Sequence, residues 1–329
     1  MGEFIFQYGL FLAKTLTILA ALVVAIIAVF VISAKSVPQR RGDKLEIRKL
    51  NDKYDEIRQL LNAGILNKTQ QKKFDRDEKK KHKLEEKQTE RKRIYVLSFD
   101  GDIKASAVQN LREEITALLT IIKQGDEVFL RLTSSGGLVH SYGLAASQLM
   151  RIRDRGIPLT VAVDKVAASG GYMMACVGNR IIAAPFAILG SIGVVAQLPN
   201  FNRLMKKHDV DFEQFTAGEY KRTVTLFGEN TDAARSKFKD EIEQTHLLFK
   251  QFVVENRPHL EIERVASGEH WYGTQALELK LVDELLTSDD FLYTNCQQAD
   301  LYEVTYTVHK GLSKRFGQFM HNTVNQFLH

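Results

Sequence analysis

Residues 128–137 read VFLRLTSSGG, a mostly apolar run that passes through a short polar turn into two glycines. An almost unbroken apolar strand expects cover on both faces, which is the situation of an inner strand in a parallel sheet flanked by helices. Gly136 and Gly137 follow where the next helix has to start. Their N–H groups would then stand at a helix N-terminus, where anions and oxyanions are held, although an ordinary βα turn fits the same residues. Working outward, the pattern repeats. Upstream, IYVLSF (94–99) ends at Asp100-Gly101 and is followed by apolar positions 108, 111, 115, 118, 119 and 122, the spacing of a helix. Downstream come LTVAV (159–163), a helix after Ser169, and RIIAA (180–184). Strands alternating with helices in this way make an α/β fold with parallel pairing.

A second stretch, Asp164-Lys165-Val166-Ala167-Ala168-Ser169-Gly170-Gly171-Tyr172-Met173-Met174-Ala175, holds one serine followed by two glycines among small apolar residues. Glycines after a serine let the backbone turn sharply and bring N–H groups close to a substrate, as an exposed nucleophile and half an oxyanion hole require. Close helix packing would use the same residues. Further on, residues 181–198, IIAAPFAILGSIGVVAQL, carry no charge. Pro185, Gly190, Ser191 and Gly193 interrupt them, so they are expected to be buried strand and turn and not a membrane span.

The chain has 329 residues, 44% of them apolar, enough for a sizeable core. Its formal charge of +5 is uneven: residues 35–93 hold 20 Lys and Arg against 11 Asp and Glu, and the remainder is mildly acidic. The two cysteines, Cys176 and Cys296, offer neither a disulfide framework nor a zinc spacing, and no cofactor or metal is expected. Residues 15–34 are uncharged over the length needed to cross a bilayer, so a transmembrane anchor is expected there. The basic residues after it put the bulk of the chain in the cytoplasm by the positive-inside rule. The charged segment up to Arg93 mixes acids with bases and lacks interleaved aromatics, which argues for a solvated linker near lipid headgroups and against nucleic acid. Within it, apolar positions 47, 50, 54, 57, 60 and 61 are spaced for a short amphipathic helix. Later, 201–209 and 230–256 are expected as helices, the second starting at Asn230-Thr231-Asp232. Another short helix, a loop with Trp271 and Gly273 and a helix ending near Leu286 should follow, then a strand-like LYEVTYTV and a basic amphipathic ending.

In order, Ser134-Ser135-Gly136-Gly137, Ala168-Ser169-Gly170-Gly171-Tyr172, Gly190-Ser191-Ile192-Gly193-Val194, Gly218-Glu219-Tyr220-Lys221, Trp271-Tyr272-Gly273-Thr274-Gln275-Ala276 and Leu281-Val282-Asp283-Glu284 resemble the signal peptide peptidase A family, closest to its inner-membrane members. The resemblance covers about residues 93–287. It implies a Clp/crotonase-like fold of repeated ββα units behind an N-terminal transmembrane helix, and a serine endopeptidase with a Ser/Lys dyad. Ser169 would be the nucleophile and Lys221 the general base, with Ser191 orienting the lysine amine and the N–H groups of Gly137 and Gly170 forming the oxyanion hole. An ordinary lysine is protonated at neutral pH, so such a base needs desolvated or positively charged surroundings. His140 and Lys165 are rival bases. Two positions depart from the family pattern: Ser135 stands where proline usually precedes the glycines, and Lys280 where glycine usually precedes Leu-Val-Asp.

The domains expected are an anchor at 1–34, a charged and partly helical linker at 35–92, a peptidase domain at 93–288 and a tail at 289–329. The partners expected are an extended apolar peptide, such as a signal-peptide remnant or a damaged envelope protein, the lipid bilayer, and further copies of the chain. The location expected is the bacterial inner membrane. Its side is left open, because the family's catalytic domains are generally placed outside the cytoplasm while the charge around the span points inward. A crotonase-like acyl-CoA enzyme and a non-catalytic membrane scaffold are the alternatives.

Overall fold

The computed structural model describes the backbone of residues 2–35, 44–85, 91–218 and 220–308, and only part of the side chains in the first and third helices. The chain forms two compact units, Met1–Lys44 with Thr307–His329, and Leu45–Tyr306. The first unit contains α1 (Gly2–Lys35), within which the expected span 15–34 falls. Among the described residues no helix is long and apolar enough to cross a membrane, and the side chains of residues 23–34 lie outside those described. The basic ending expected at 309–329 also lies outside the described residues.

The second unit runs β1 (Lys44–Lys49, its first residue counted with the other unit), α2 (Leu50–Ile65), α3 (Lys68–Glu85), β2 (Lys92–Gly101), α4 (Val108–Leu118), β3 (Glu127–Ser134), α5 (Val139–Arg153), β4 (Leu159–Val163), β5 (Val166–Ala168) and α6 (Gly170–Ala175). It continues through β6 (Arg180–Ala183), β7 (Ile188–Gly190), α7 (Asn202–Lys207), α8 (Asp232–Asn256), α9 (Ile262–Val265), β8 (His270–Tyr272), α10 (Gly273–Glu278), β9 (Glu284–Leu285), α11 (Ser288–Asn295) and β10 (Ala299–Thr307, its last residue counted with the other unit). The main sheet has the order β1-β10-β2-β3-β4-β6-β9, and its pairs from β10 through β9 are parallel. Alternate strand residues divide between two cores. Tyr95, Leu97, Leu130 and Val161 pack with α4, α5 and α6, while Ile94, Val96, Phe129 and Ile182 pack with Leu50 of α2 and with Phe291 and Leu292 of α11. Burial on both faces is why these strands read as near-continuous apolar runs.

The sheet forks at its C-terminal edge. β3 pairs with β4 through Val128–Arg131, but its last residue, Ser134, pairs instead with Ala167 of β5. The bend between β4 and β5 is held by Asp164, whose carboxylate accepts the N–H and the hydroxyl of Ser288 at 2.8 and 2.5 Å. From β5 the branch continues in parallel to β7 and then in antiparallel to β8. Functional groups of open parallel sheets gather outside the strands' carboxyl ends, and this fork is such a place.

Several details differ from the sequence reading. The expected helix near 45–61 begins as a strand, and Asn51, 8% exposed at the start of α2, is pinned by two hydrogen bonds to Ala299 and Leu301 of β10 and a third to the Cys296 carbonyl at the end of α11. Part of the expected linker thus belongs to the compact unit, because a buried amide with all its bonds made needs no apolar periodicity to anchor it. Trp271 lies on a strand and not in a loop: a Cβ on Gly190 would meet its indole ring at 2.7 Å, so the bare glycine opposite gives the ring its place. α10 ends at Glu278, ahead of the expected Leu286, in a Schellman motif: Leu281 N–H donates to Ala276 O and Lys280 N–H to Leu277 O.

Candidate active site

Ser169 stands between β5 and α6, at φ 51° and ψ −119°, a conformation that costs a non-glycine residue about 1–3 kcal/mol. Its N–H donates to Gly190 O at 2.8 Å, and its carbonyl accepts Met173 N–H, so the turn is fixed at both ends. The side chain is half-buried and makes no hydrogen bond among the described residues. Ala167, Tyr172, Met173 and Met174 are buried around it, which explains the small and apolar sequence.

Ser191 is brought beside this turn by strand register. β5 and β7 pair Val166 with Ile188, Ala167 with Leu189 and Ala168 with Gly190, so the next residues in line are Ser169 and Ser191. Ser191 also has a positive φ, 50°, and its N–H donates to Glu269 O at 2.6 Å. His246 of α8 contacts the adjoining carbonyl of Ile192 at 3.2 Å.

The glycine loop closes over the same point. Gly136, at φ 91°, is so near that a Cβ on it would lie 2.8 Å from Ala168 O, Gly170 N and Ser169 Cβ. A Cβ on Gly137 would collide with the carbonyl of Ile103, and one on Gly170 with the ring of Tyr142. Any side chain at these three glycines is therefore excluded by backbone or ring. Gly137 N–H has no acceptor among the described residues, and Gly170 opens α6, where the first N–H groups have no partner within the helix.

Lys221 is not joined to this cluster by any hydrogen bond among the described residues. It is exposed, on an arm running from Ser191 to Thr231 that contains α7 and, among its described residues, no strand. With Leu198, Phe212, Phe215, Leu226 and Phe227 it lines a cavity of about 630 Å³ that none of Ser169, Ser191, Gly137 and Gly170 touches. The desolvated surroundings that a lysine base needs are thus absent around Lys221 in the single chain, whose arm leaves Val195 80% and Phe215 90% exposed. His140 and Lys165 are both exposed, and neither bonds to Ser169. No group of three or more His, Cys, Asp or Glu side chains that could hold a metal occurs among the described residues.

Two known families of domain match the chain, "Peptidase family S49 N-terminal" over residues 3–149 and "Peptidase family S49" over residues 151–302. The chain belongs to peptidase family S49. Within that family it is of the SohB type. It is 48% identical to "Probable protease SohB" of Haemophilus influenzae, covering 100% of this chain and 96% of that protein. It is also 48% identical to a protein of the same description from Buchnera aphidicola subsp. Schlechtendalia chinensis, covering 88% and 99%. A more distant relative is "Putative protease MJ0651" of Methanocaldococcus jannaschii, 29% identical over 59% of this chain and 68% of that one. Among solved structures, the 1510-N membrane-bound stomatin-specific protease in complex with a substrate peptide is 12% identical, with a TM-score of 0.44 over 70% of this chain and 99% of that chain.

Ser134, Tyr142, Asp102 and Arg257 take part in contacts that no motif in the sequence announces. Tyr142, in the first turn of α5, reaches Ser134 at the end of β3, and Arg257 forms a two-pronged pair with Asp283 in the stretch between α10 and β9. Both contacts join residues that share no local pattern. A polar tip on a large residue just after the glycine loop was the one signal available for Tyr142.

Proposed function

We propose that this S49 peptidase is a membrane-anchored serine endopeptidase that cleaves extended apolar peptides, such as signal-peptide remnants or damaged envelope proteins. Its dyad is Ser169 as nucleophile and Lys221 as base, on a Clp/crotonase-like arrangement of parallel strands. The observation that carries this reading is the alignment of Ser169 with Ser191 by the β5–β7 register, beneath glycines whose N–H groups are unclaimed. A peptide carbonyl between Gly137 N–H and Gly170 N–H would have two donors for the negative charge that develops as Ser169 Oγ attacks, each contributing on the order of 3 kcal/mol. Ser191 then holds the Lys221 amine, which takes the serine proton and returns it to the leaving amine. Because Lys221 is exposed in one chain, the reading includes self-association, with a neighbouring copy supplying the cover that makes the amine a base. α1 supplies the membrane attachment, and the bacterial inner membrane is the proposed location. The test is hydrolysis of a quenched-fluorescence peptide of leucine and alanine by the full chain in detergent. Ser169→Ala and Lys221→Ala should each abolish turnover with the fold intact by circular dichroism, and turnover retained in the lysine variant would discard the dyad.

A further inference from the structure

Beneath the glycine loop lies a buried relay of hydroxyls. Gly136 N–H donates to Ser134 Oγ at 3.1 Å, Ser134 Oγ and Tyr142 Oη are 2.5 Å apart, and Tyr142 Oη donates to the carbonyl of Asp102 at 2.7 Å. Ser134 is 2% exposed and Tyr142 fully buried. Proton counting fixes the direction of every bond. The phenol has one proton and a carbonyl can only accept, so Tyr142 gives its proton to Asp102 and takes one from Ser134. The serine oxygen keeps a lone pair for Gly136. Burial pushes the Tyr142 phenol above its ordinary value despite the pull of Ser134, which keeps it a donor. A second tie, from Leu138 N–H to Ile103 O at 2.8 Å, fastens the far side of the loop to the same 102–103 turn.

The same tyrosine touches the opposite side of the site. The root of its ring lies against Gly170, closely enough that a methyl group on the α-carbon there would overlap Cγ. One side chain thus contacts Gly170 directly and the Gly136-Gly137 loop through Ser134, and these carry the two backbone donors of the proposed oxyanion hole.

We propose that Tyr142, acting with Ser134, is a positioning residue for peptide hydrolysis: its hydroxyl relay and its ring together set the spacing of the Gly137 and Gly170 N–H groups. This rests on the reading of those glycines as oxyanion donors. Loss of the Ser134 hydroxyl leaves Gly136 N–H without an acceptor in a buried place, and loss of the Tyr142 hydroxyl leaves the Ser134 proton without one; either frees the loop to move relative to α6, which weakens stabilisation of the transition state more than ground-state binding.

The experiment measures kcat and KM on the same leucine-alanine peptide, with thermal unfolding, for Tyr142→Phe, Ser134→Ala and the double variant of the full chain. Each single change should lower kcat about 10- to 100-fold, below the loss of a whole oxyanion donor, with KM within about twofold. The double variant should lose little more than either single one, because the three groups act as one unit. Ser134→Ala deletes one oxygen and serves if Tyr142→Phe unfolds. A kcat within about twofold of the parent in a folded variant, an equal rise in KM, or losses that multiply in the double variant would overturn the proposal. Ser169→Ala, run alongside, separates the two readings. Turnover surviving there overturns the serine mechanism, whereas turnover lost there but unchanged in Tyr142→Phe overturns only the role of the tyrosine.

Discussion

At the scale of single residues, the backbone explains choices that the sequence makes look arbitrary. Lys280 is the departure from the family pattern at the entry to Leu-Val-Asp, and its φ is 61°. It is the left-handed residue of the Schellman motif closing α10, the place where glycine is favoured because it has no Cβ to strain. Its side chain is exposed, so nothing offsets that strain. Lys280→Gly should therefore raise stability by about 1 kcal/mol without altering activity, read as a shift in the urea midpoint at constant slope; an unchanged or lower midpoint refutes the account. Ser169 and Ser191 are strained in the same sense, but they stand at the two strand ends that the proposed site is built on. Strain at Lys280 is removable, and at the two serines it coincides with the proposed chemistry.

At the scale of elements, α4 meets the end of β10 through a carboxyl group. Glu114 is 4% exposed and accepts the N–H of Tyr306 at 2.8 Å. Burial raises its pKa from 4.5 to about 7, outweighing the pull of that bond. Between these two values the folded chain holds a proton that the unfolded chain has lost, so stability falls as pH rises through the window and levels off above it. Glu114→Gln keeps the acceptor oxygen and cannot ionise. It should gain on the parent by up to about 3 kcal/mol between pH 5 and pH 8, measured as urea midpoints; a difference that does not change with pH would refute it. How much of this was legible in the sequence follows from what makes each element. β2, β3, β4, β6 and α8 could be read directly, because burial on both faces writes apolar runs and a helix cap writes Asn-Thr-Asp. Thr231 does accept Ala234 N–H at 3.2 Å. The strand β1, the three-residue strands β5, β7 and β8, and the relay through Tyr142 could not, since each exists only through partners far away in the chain. Ser169, Gly137, Gly170 and Ser191 were named as a set through the family resemblance, and the β5–β7 register with the close approach of the glycine loop brings them to one fork. The exposure of Lys221 left no mark in the sequence.

At the scale of the whole molecule, the proposed chemistry is divided between a rigid fork and an arm. The fork carries the serines and glycines, and the arm from Ser191 to Thr231 carries Lys221 with exposed Val195, Phe215 and Tyr220. If copies complete one another's dyads, Ser169→Ala and Lys221→Ala chains, each inactive alone, should recover hydrolysis when unfolded, mixed and refolded together. A mixture as inactive as its parts would place the base in the same chain as its serine. The fork also has a consequence for how such a chain can drift over generations. β5 and β7 are three residues long, and because successive side chains of a strand point to opposite faces, one residue gained or lost in either would take Ser169 and Ser191 out of register with each other. Substitutions that keep the size of Ala167 or Leu189 leave that alignment alone. Changes of length belong outside the two strands, in the arm beyond Ser191, where no strand register counts the residues.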